Sequence, residues 1–413
     1  MKNQQQSMKV SKLIFSFAAV IALVTACEKF PKPGNSGNGG NATTVMDLTG
    51  LTVDGQFPII AWTDNQTPEQ FVARFTSMKE CGINVYLGWY KSLDEVMLAL
   101  DGAQQAGIKL ITKSDELFSD TENTVRTMMS HPALFGYHIK DEPEVSDIPT
   151  LASQVKAINA VDDKHFCYIN LYPNWAWGNI DGYMSKLTSY LSQVPVRFLS
   201  FDHYPVMEVD GVSSLRREWY KNLEDVRRVS RARSIPFWAF ALSLSHKLEG
   251  VLYPIPTLAE LRVQMFSNLA YGAQGFQYFT YWGIYQNGPT QVYDRVKTLN
   301  KEIQSLSKIF LGADVTDVWH TGANLPYGTK GLTTLPEGIS ALSTSDNGAV
   351  VSKVVKDGKT YIAVVNKDYK ADMTLDIAFT GEAWRIDKEG YKTAAKSGCF
   401  SVAPGDIIMF QIQ

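Results

Sequence analysis

Eight short apolar runs, rich in β-branched and aromatic residues, punctuate residues 57–282 at intervals too regular for a random globular chain. They are FPIIAW (57–62), INVYLGWY (83–90), IKLITK (108–113), LFGYHIK (134–140), HFCYINLY (165–172), VRFLSFDHY (196–204), IPFWAFALS (235–243) and GFQYFTYW (275–282). Their starts lie 25 to 40 residues apart, room for one helix and two turns. The stretches between them have helical spacing. In TPEQFVARFTSMKECG a Thr cap is followed by Pro, Phe71, Phe75 and Met78 share a face, and Gly82 closes the helix. SLDEVMLALDGAQQAG and PTLAELRVQMFSNLAYGAQG repeat the pattern, and QVYDRVKTLNKEIQSLSKIF (291–310) follows the eighth run. Strict β–α alternation, eight times over, predicts an α/β fold, a (β/α)8 barrel. A doubly wound open sheet is the alternative, but the first run ends in AWTDNQTPEQ, with no Gly-rich phosphate turn.

Beyond Leu311 the texture changes to short alternating runs broken by Asn-Gly and Asp-Gly, which are hairpin signals. Residues 312–413 are expected to form a small antiparallel β-sandwich after a barrel over 50–311. At the other end Lys2, Lys9 and Lys12 flank an apolar run from Leu13 to Val24. That run is too short to span a bilayer and reads as a secretory leader, residues 1–26. The leader ends in Val24-Thr25-Ala26-Cys27, similar to a bacterial lipobox. This resemblance implies lipidation of Cys27 and a lipid anchor in a membrane of the cell envelope, the outer membrane by preference, facing the periplasm or the surface. Glu28 after it resembles the surface-export signal of Bacteroidetes lipoproteins. Residues 27–49, rich in Gly, Asn and Pro, are expected to be a flexible tether. The remaining Cys81, Cys167 and Cys399 show no metal spacing and are expected to be buried free thiols. The histidines form no HxxxH or HxH pair, so neither a metal nor any other cofactor is expected. With a net charge of −3 and no long basic run, nothing points to nucleic acid.

Barrel active sites lie at the C-terminal ends of the strands. There the sequence places Trp62 and Asp64, Trp89 and Tyr90, Lys113, Asp115 and Glu116, Asp141 and Glu142, Asn170, Tyr172, Trp175 and Trp177, Asp202, His203, Tyr204 and Glu208, Ser243 and His246, and Tyr281 and Trp282. Rings offer flat apolar faces with polar edges, which suit the C–H patches and rim hydroxyls of a pyranose. Carboxylates supply glycosidic acid–base chemistry. The expected ligand is therefore an oligosaccharide or polysaccharide, contacted by Trp62, Trp89, Tyr172, Trp175, Asp202, His203, Tyr204 and Trp282. Phe135, Phe201 and Phe240 read as interior core.

The span 50–311 resembles the clan A (β/α)8 glycoside hydrolases of the β-galactosidase and cellulase superfamily. The resemblance rests on Asp141-Glu142-Pro143 after the fourth run, SFDHYP after the sixth, NLAYGAQGF before the eighth and YFTYW within it. It implies Glu142 as general acid/base. The chain departs from that pattern after the seventh run, where Ala241, Leu242 and Ser243 stand in place of a nucleophilic Glu and no acid appears before Glu249. The adjacent acids are also similar to those of hexosaminidase families 20 and 123. There the substrate's own 2-acetamido oxygen attacks, an Asp orients it and a Glu protonates the leaving oxygen. That resemblance implies such roles for Asp141 and Glu142, with Tyr204 available to the acetamide pocket. An inverting pair of Glu142 with Asp202, Glu208 or Asp115 is a further alternative. So is helix capping by the acids that follow the strand. A non-catalytic carbohydrate-binding lipoprotein with a degenerate barrel is the reading from outside enzymology.

Overall fold

The computed structural model describes residues 46–413 apart from Asn65 and Glu249. The expected leader, the Cys27 lipidation site and most of the expected tether lie outside the described residues. Eight parallel strands close into a barrel: β1 Ile59–Trp62, β2 Val85–Trp89, β3 Lys109–Lys113, β4 Leu134–Asp141, β5 Phe166–Leu171, β6 Leu199–Phe201, β7 Phe237–Leu242 and β8 Gly275–Phe279. β1 pairs with both β2 and β8 and closes the ring. The outer layer is α1 Phe71–Glu80, α2 Leu93–Ala106, α3 Thr121–Met128, α4 Ile148–Asn159, α5 Tyr183–Gln193, α6 Trp219–Arg233, α7 Leu258–Ala270 and α8 Tyr293–Phe310. The (β/α)8 barrel expected from the alternation is the fold observed.

Local chemistry sets the helix ends. The Ser92 hydroxyl accepts the Glu95 N–H at 3.3 Å to start α2, which Gly107 ends in the left-handed conformation at φ 73°. Thr257 and Glu260 form a reciprocal capping box at α7. Period-two alternation along the strands then divides the apolar side chains into two cores. Outward residues such as Phe201 and Ile139 pack beneath the helices. Inward residues Ile60, Leu87, Ile111, Phe135, Phe166, Tyr168, Phe198, Trp238 and Phe240 fill the barrel. Trp238 is its keystone: it stacks on Phe198 with centroids 3.9 Å apart and meets Phe166 edge-on at 5.4 Å.

After α8 the chain forms two antiparallel sheets. One has six strands in the order Asp314–His320, Ala349–Lys356, Lys359–Asn366, Ile407–Ile412, Ala383–Ile386 and Lys392–Ala395; the other has three, Ile339–Thr344, Met373–Phe379 and Gly398–Val402. Apolar residues of both sheets share one core, with Ile362, Val364, Leu375, Ile377 and Phe410 at its centre. The sandwich is fastened to α6 by the Arg227 guanidinium, which donates to the Val315 and Thr316 carbonyls at 2.7 and 2.8 Å.

The structure corrects several expectations. β6 contributes only three ladder residues, and Asp202–Tyr204 continue beyond it. β8 ends at Phe279, so Trp282 lies on the helical turn Tyr281–Ile284. Phe201 faces the helices, not the barrel interior. Cys81 and Cys167 are buried free thiols, but Cys399 is exposed, because it falls on the outward step of a sandwich strand whose alternate residues face the core. Replacing the barrel keystone, Trp238→Ala, should cost about 3–5 kcal/mol through lost burial and an unfilled cavity. Urea unfolding followed by near-UV circular dichroism measures it, and a midpoint unchanged from wild type would refute the assignment.

Candidate active site

On an ideal strand every second residue points inward. β5 obeys this: Phe166 and Tyr168 lie in the interior core, and the Asn170 amide meets inward-facing groups above them. β4 does not. Its pairing with β5 slips between His138 and Lys140, so that His138 lies opposite Tyr168 and Asp141 opposite Asn170. A second slip, against β3, falls near Phe135. Each extra residue is a β-bulge, which re-aims the side chains beyond it. The inward set of β4 is therefore Phe135, His138 and Asp141, spaced by three. Counted from His138 without the bulge at Ile139, Lys140 would take the inward place and Asp141 would face the helices.

Glu142 follows in the left-handed region at φ 45°, while its N–H still donates to the Asn170 carbonyl at 2.9 Å. A non-glycine residue held there costs on the order of 1–2 kcal/mol. The turn keeps both adjacent carboxyls at the rim. Helix capping uses other acids: the Asp147 carboxylate accepts the Glu144 N–H at 3.0 Å, completing a capping box with Glu144 just before α4.

Asn170 organises the site. Its Nδ2 donates to Asp141 Oδ1 at 3.2 Å and to Asp202 Oδ1 at 3.1 Å. Its Oδ1 accepts the Ser200 hydroxyl at 2.9 Å. Ser200 in turn accepts from Gln277 Nε2 at 2.8 Å, and Tyr168 donates to Gln277 Oε1 at 2.5 Å. This buried chain links β5, β6 and β8 and fixes which way the amide points. Asp202 also bonds the Tyr204 hydroxyl, and Tyr204 stacks on Phe279 at 5.5 Å.

Three neighbouring carboxyls at the mouth, Asp141 at its open rim and Glu142 and Asp202 half-buried, disfavour one another's ionisation. Burial first, then the charges of Asp141 and Glu144, carry Glu142 up to about 7. Burial raises Asp141, against the opposing pull of Asn170, Lys113 and Lys140. Asp202 is pushed well above the usual carboxylate range by burial and by its two acidic neighbours. The mouth thus holds exchangeable protons near neutral pH. Tyr172 hydrogen-bonds Glu144, and its hydroxyl is raised by burial and by the charges of Glu142 and Glu144.

The structure brings Asp141, Glu142, Asp202, Tyr204 and Tyr172 together. Trp62 lies beneath them, buried among His138, Tyr168 and Phe240. Trp89, 49% exposed, stands over His138 with centroids 5.6 Å apart. Trp175 lies under the Arg216 guanidinium at 4.3 Å, and Trp282 is 47% exposed on its turn. His203 is not part of the cluster. On the outward step from Asp202, it is buried, with Nδ1 3.1 Å from Asn222 Oδ1 on α6. Of the other acids considered as a base, Asp115 starts the short helix Glu116–Ser119 and Glu208 sits on a hairpin opposite Leu252. Asp64 pairs with Arg74 at 2.8 Å. At the end of β7 Leu242 is the inward residue, and Ser243 is buried with its hydroxyl on the Thr280 carbonyl at 2.9 Å. Gly283 packs so closely there that a Cβ would fall 2.4 Å from the Ser243 carbonyl oxygen. Among the described residues no group of three or more His, Cys, Asp and Glu side chains has metal-holding geometry.

Asn170 and Lys113 stand at the strand ends that the sequence predicts, but the sequence assigns neither a role. Alternation from Tyr168 turns Asn170 inward. Lys113, inward at the end of β3 with Nζ 3.4 Å from the bulge carbonyl of Ile139, is the cation nearest the acids on that side.

Asn170→Ala removes the donor that favours the ionised forms of both aspartates. Asp141 and Asp202 should then titrate at higher pH than in wild type, read by carboxyl carbon NMR. Unmoved titrations would show that the amide does not bridge them.

No protein-family model and no curated protein matches the chain in sequence. Solved structures do match its fold. A candidate alpha-galactosidase from Bacteroides fragilis superposes with a TM-score of 0.53 at 11% identity, covering 87% of this chain and 79% of that one. A cycloisomaltooligosaccharide glucanotransferase from Paenibacillus sp. gives 0.52 at 7% identity, covering 89% and 85%. At such identities the likeness is one of fold.

Proposed function

We propose that the protein is a glycoside hydrolase with Glu142 as its general acid/base. The observation that carries this reading is the pair of consecutive carboxyls turned into a ring-walled barrel mouth by a bulge and a left-handed residue, with Glu142 carried up to about 7. A general acid works best with a pKa near the operating pH. The two fold neighbours named above bear carbohydrate-processing names, which is consistent with a glycan ligand.

The bare end of β7 supports substrate assistance over a protein nucleophile. The carbonyl oxygen of the sugar's 2-acetamido group attacks the anomeric carbon as the glycosidic C–O bond breaks, and Glu142 gives its proton to the leaving oxygen. Asp141, held by Asn170, orients the acetamide N–H and offsets the positive charge of the oxazolinium. The Glu142 carboxylate then takes a proton from the water that opens that ring, restoring the acid. Asp202 favours a second reading, inversion, because it shares the Asn170 amide with Asp141 and lies near enough to Glu142 for their charges to interact. In either case we place the enzyme outside the cytoplasm, anchored through Cys27.

Chromogenic aryl N-acetylhexosaminides, set beside galactosides and glucosides, test the reading. Glu142→Gln should lower turnover by about 10²–10⁴-fold while ligand binding persists. Asp141→Asn should fail selectively on 2-acetamido sugars; equal loss on every sugar would favour inversion. Glycan binding without turnover by the wild type would make the barrel a binding protein.

The pH profile gives a second check. Glu142 must be protonated to act as acid, so kcat/KM should fall as pH rises through about 7. Asp141→Asn removes a neighbouring negative charge that raises Glu142, so whatever activity remains should lose its alkaline limb at lower pH. The same group bears on stability. Its folded pKa lies above the ordinary value, so its contribution favours the folded state at low pH and fades as pH rises from the ordinary glutamate range to about 7. Glu142→Gln should remove that part of the pH dependence of the urea midpoint.

A further inference from the structure

A second concavity lies beside the barrel mouth, where the hairpin Val206–Leu215 and the start of α6 meet the sandwich. It is a groove of about 670 Å³, walled by Arg216, Arg217, Lys367 and Lys370 together with Tyr327, Tyr369 and one carboxylate, Asp368, which accepts the Asn347 amide at 2.7 Å and the Lys370 and Ala371 N–H groups at 2.7 and 3.1 Å. Among the described residues no carboxylate lies within ion-pair distance of any of these four cations. The molecule as a whole is slightly acidic, with a net charge of −3, so a groove that sets four cations against the single carboxylate of Asp368 is a local construction.

Two of the cations are costly to leave as they are. Lys367 is 6% exposed, and its ammonium donates to one protein acceptor, the Thr321 carbonyl at 2.8 Å. An ammonium has three N–H bonds to satisfy. Burial lowers its pKa to about 8. Arg216 lies over the Trp175 ring and donates to the Tyr253 hydroxyl at 2.8 Å, but its Nε is buried without a partner. Arg217 covers Tyr327 at 4.4 Å. Lys370 holds the Ser213 carbonyl at 2.6 Å, and Ser213 meets the Tyr369 hydroxyl at 2.8 Å. The groove thus alternates ring faces with cationic donors. Ring faces take the C–H side of a sugar, and cationic donors take an anionic substituent by charge-assisted hydrogen bonds.

The groove is tied to the candidate active site through packed side chains. Arg216 holds Tyr253, whose ring lies 6.2 Å from Tyr204, and Tyr204 bonds Asp202. We propose that this groove binds an acidic glycan, whose carboxylate or sulfate groups supply the counter-charge that Asp368 alone does not, and that the substrate of the barrel is a polymer carrying such groups. The groove rests on the hydrolase reading only for the second of these statements.

Affinity electrophoresis and calorimetry with the full-length protein test it, using polygalacturonate for carboxylate, dextran sulfate for sulfate and plain dextran as the neutral control. At least one acidic polymer should bind and dextran should not, with affinity falling as salt rises. Arg217→Ala with Lys370→Ala, both at exposed positions outside the catalytic cluster, should weaken that binding by about tenfold or more. The control pair Lys156→Ala with Lys308→Ala, on α4 and α8, should leave it unchanged. Whichever acidic polymer binds identifies the anionic group. Equal binding of dextran, equal binding of double-stranded DNA, or an unchanged affinity in the Arg217/Lys370 variant would overturn the proposal. Salt-sensitive acidic binding without hydrolysis of any aryl glycoside would keep the groove and discard the hydrolase. Hydrolysis without such binding would do the reverse.

Discussion

One side-chain amide holds the candidate site in its present form. Asn170 spends both ends: its nitrogen is shared between two aspartates, and its oxygen is pinned by Ser200. Amide nitrogen and oxygen look alike in shape, so an asparagine alone could face either way. Here the hydroxyl of Ser200, itself oriented by Gln277 and Tyr168, decides the matter. Without that orientation an amide oxygen would confront Asp141 and Asp202, and two burial-raised carboxyls would lose the donor that lets them sit side by side. The polar chain across β5, β6 and β8 therefore works as a foundation for the acids above it.

Much of this architecture was legible in the sequence, because the signals are periodic. Strand–helix alternation predicts the barrel, and Asn-Gly and Asp-Gly pairs predict the hairpins beyond it. Asp202 and Tyr204 belong together by period two from Ser200, and the same rule, applied strictly, turns His203 outward to Asn222. What could not be read was β4. Bulges leave no mark in GYHIKDEPE; the two cancel at Asp141, which strict alternation from Phe135 also turns inward, and what they change is the layer beneath, where Tyr137 and Ile139 turn to the helices and His138 turns in. The acid pair draws attention by its chemistry, and the placement of His138 beneath it comes from register against Tyr168. The basic groove was invisible for a different reason. Its cations come from 216–217 and 367–370, about 150 residues apart, and only tertiary packing makes them neighbours.

The wall opposite the acids is equally informative. Where a second catalytic carboxylate would stand at the end of β7, Leu242 faces inward, and Ser243 is stitched to the backbone of the turn after β8. The tight approach of Gly283 to the Ser243 carbonyl leaves no slack there. Chemistry that needs a carboxylate on that side must take it from β6, and chemistry that does not must take its nucleophile from the ligand. The Asn170 bridge bears on both, since it touches Asp141 for the one and Asp202 for the other.

The two hairpins that rise from the rim, Val206–Leu215 and His246–Tyr253, pair through Leu252 and Glu208 into a single four-stranded sheet. The loops after β2 and β3 are short by comparison. The rim is consequently lopsided, with a four-stranded sheet on one flank and short loops bearing Trp89 on the other. Access to the acids is therefore set on one flank by that sheet and on the other by the short loops around Trp89.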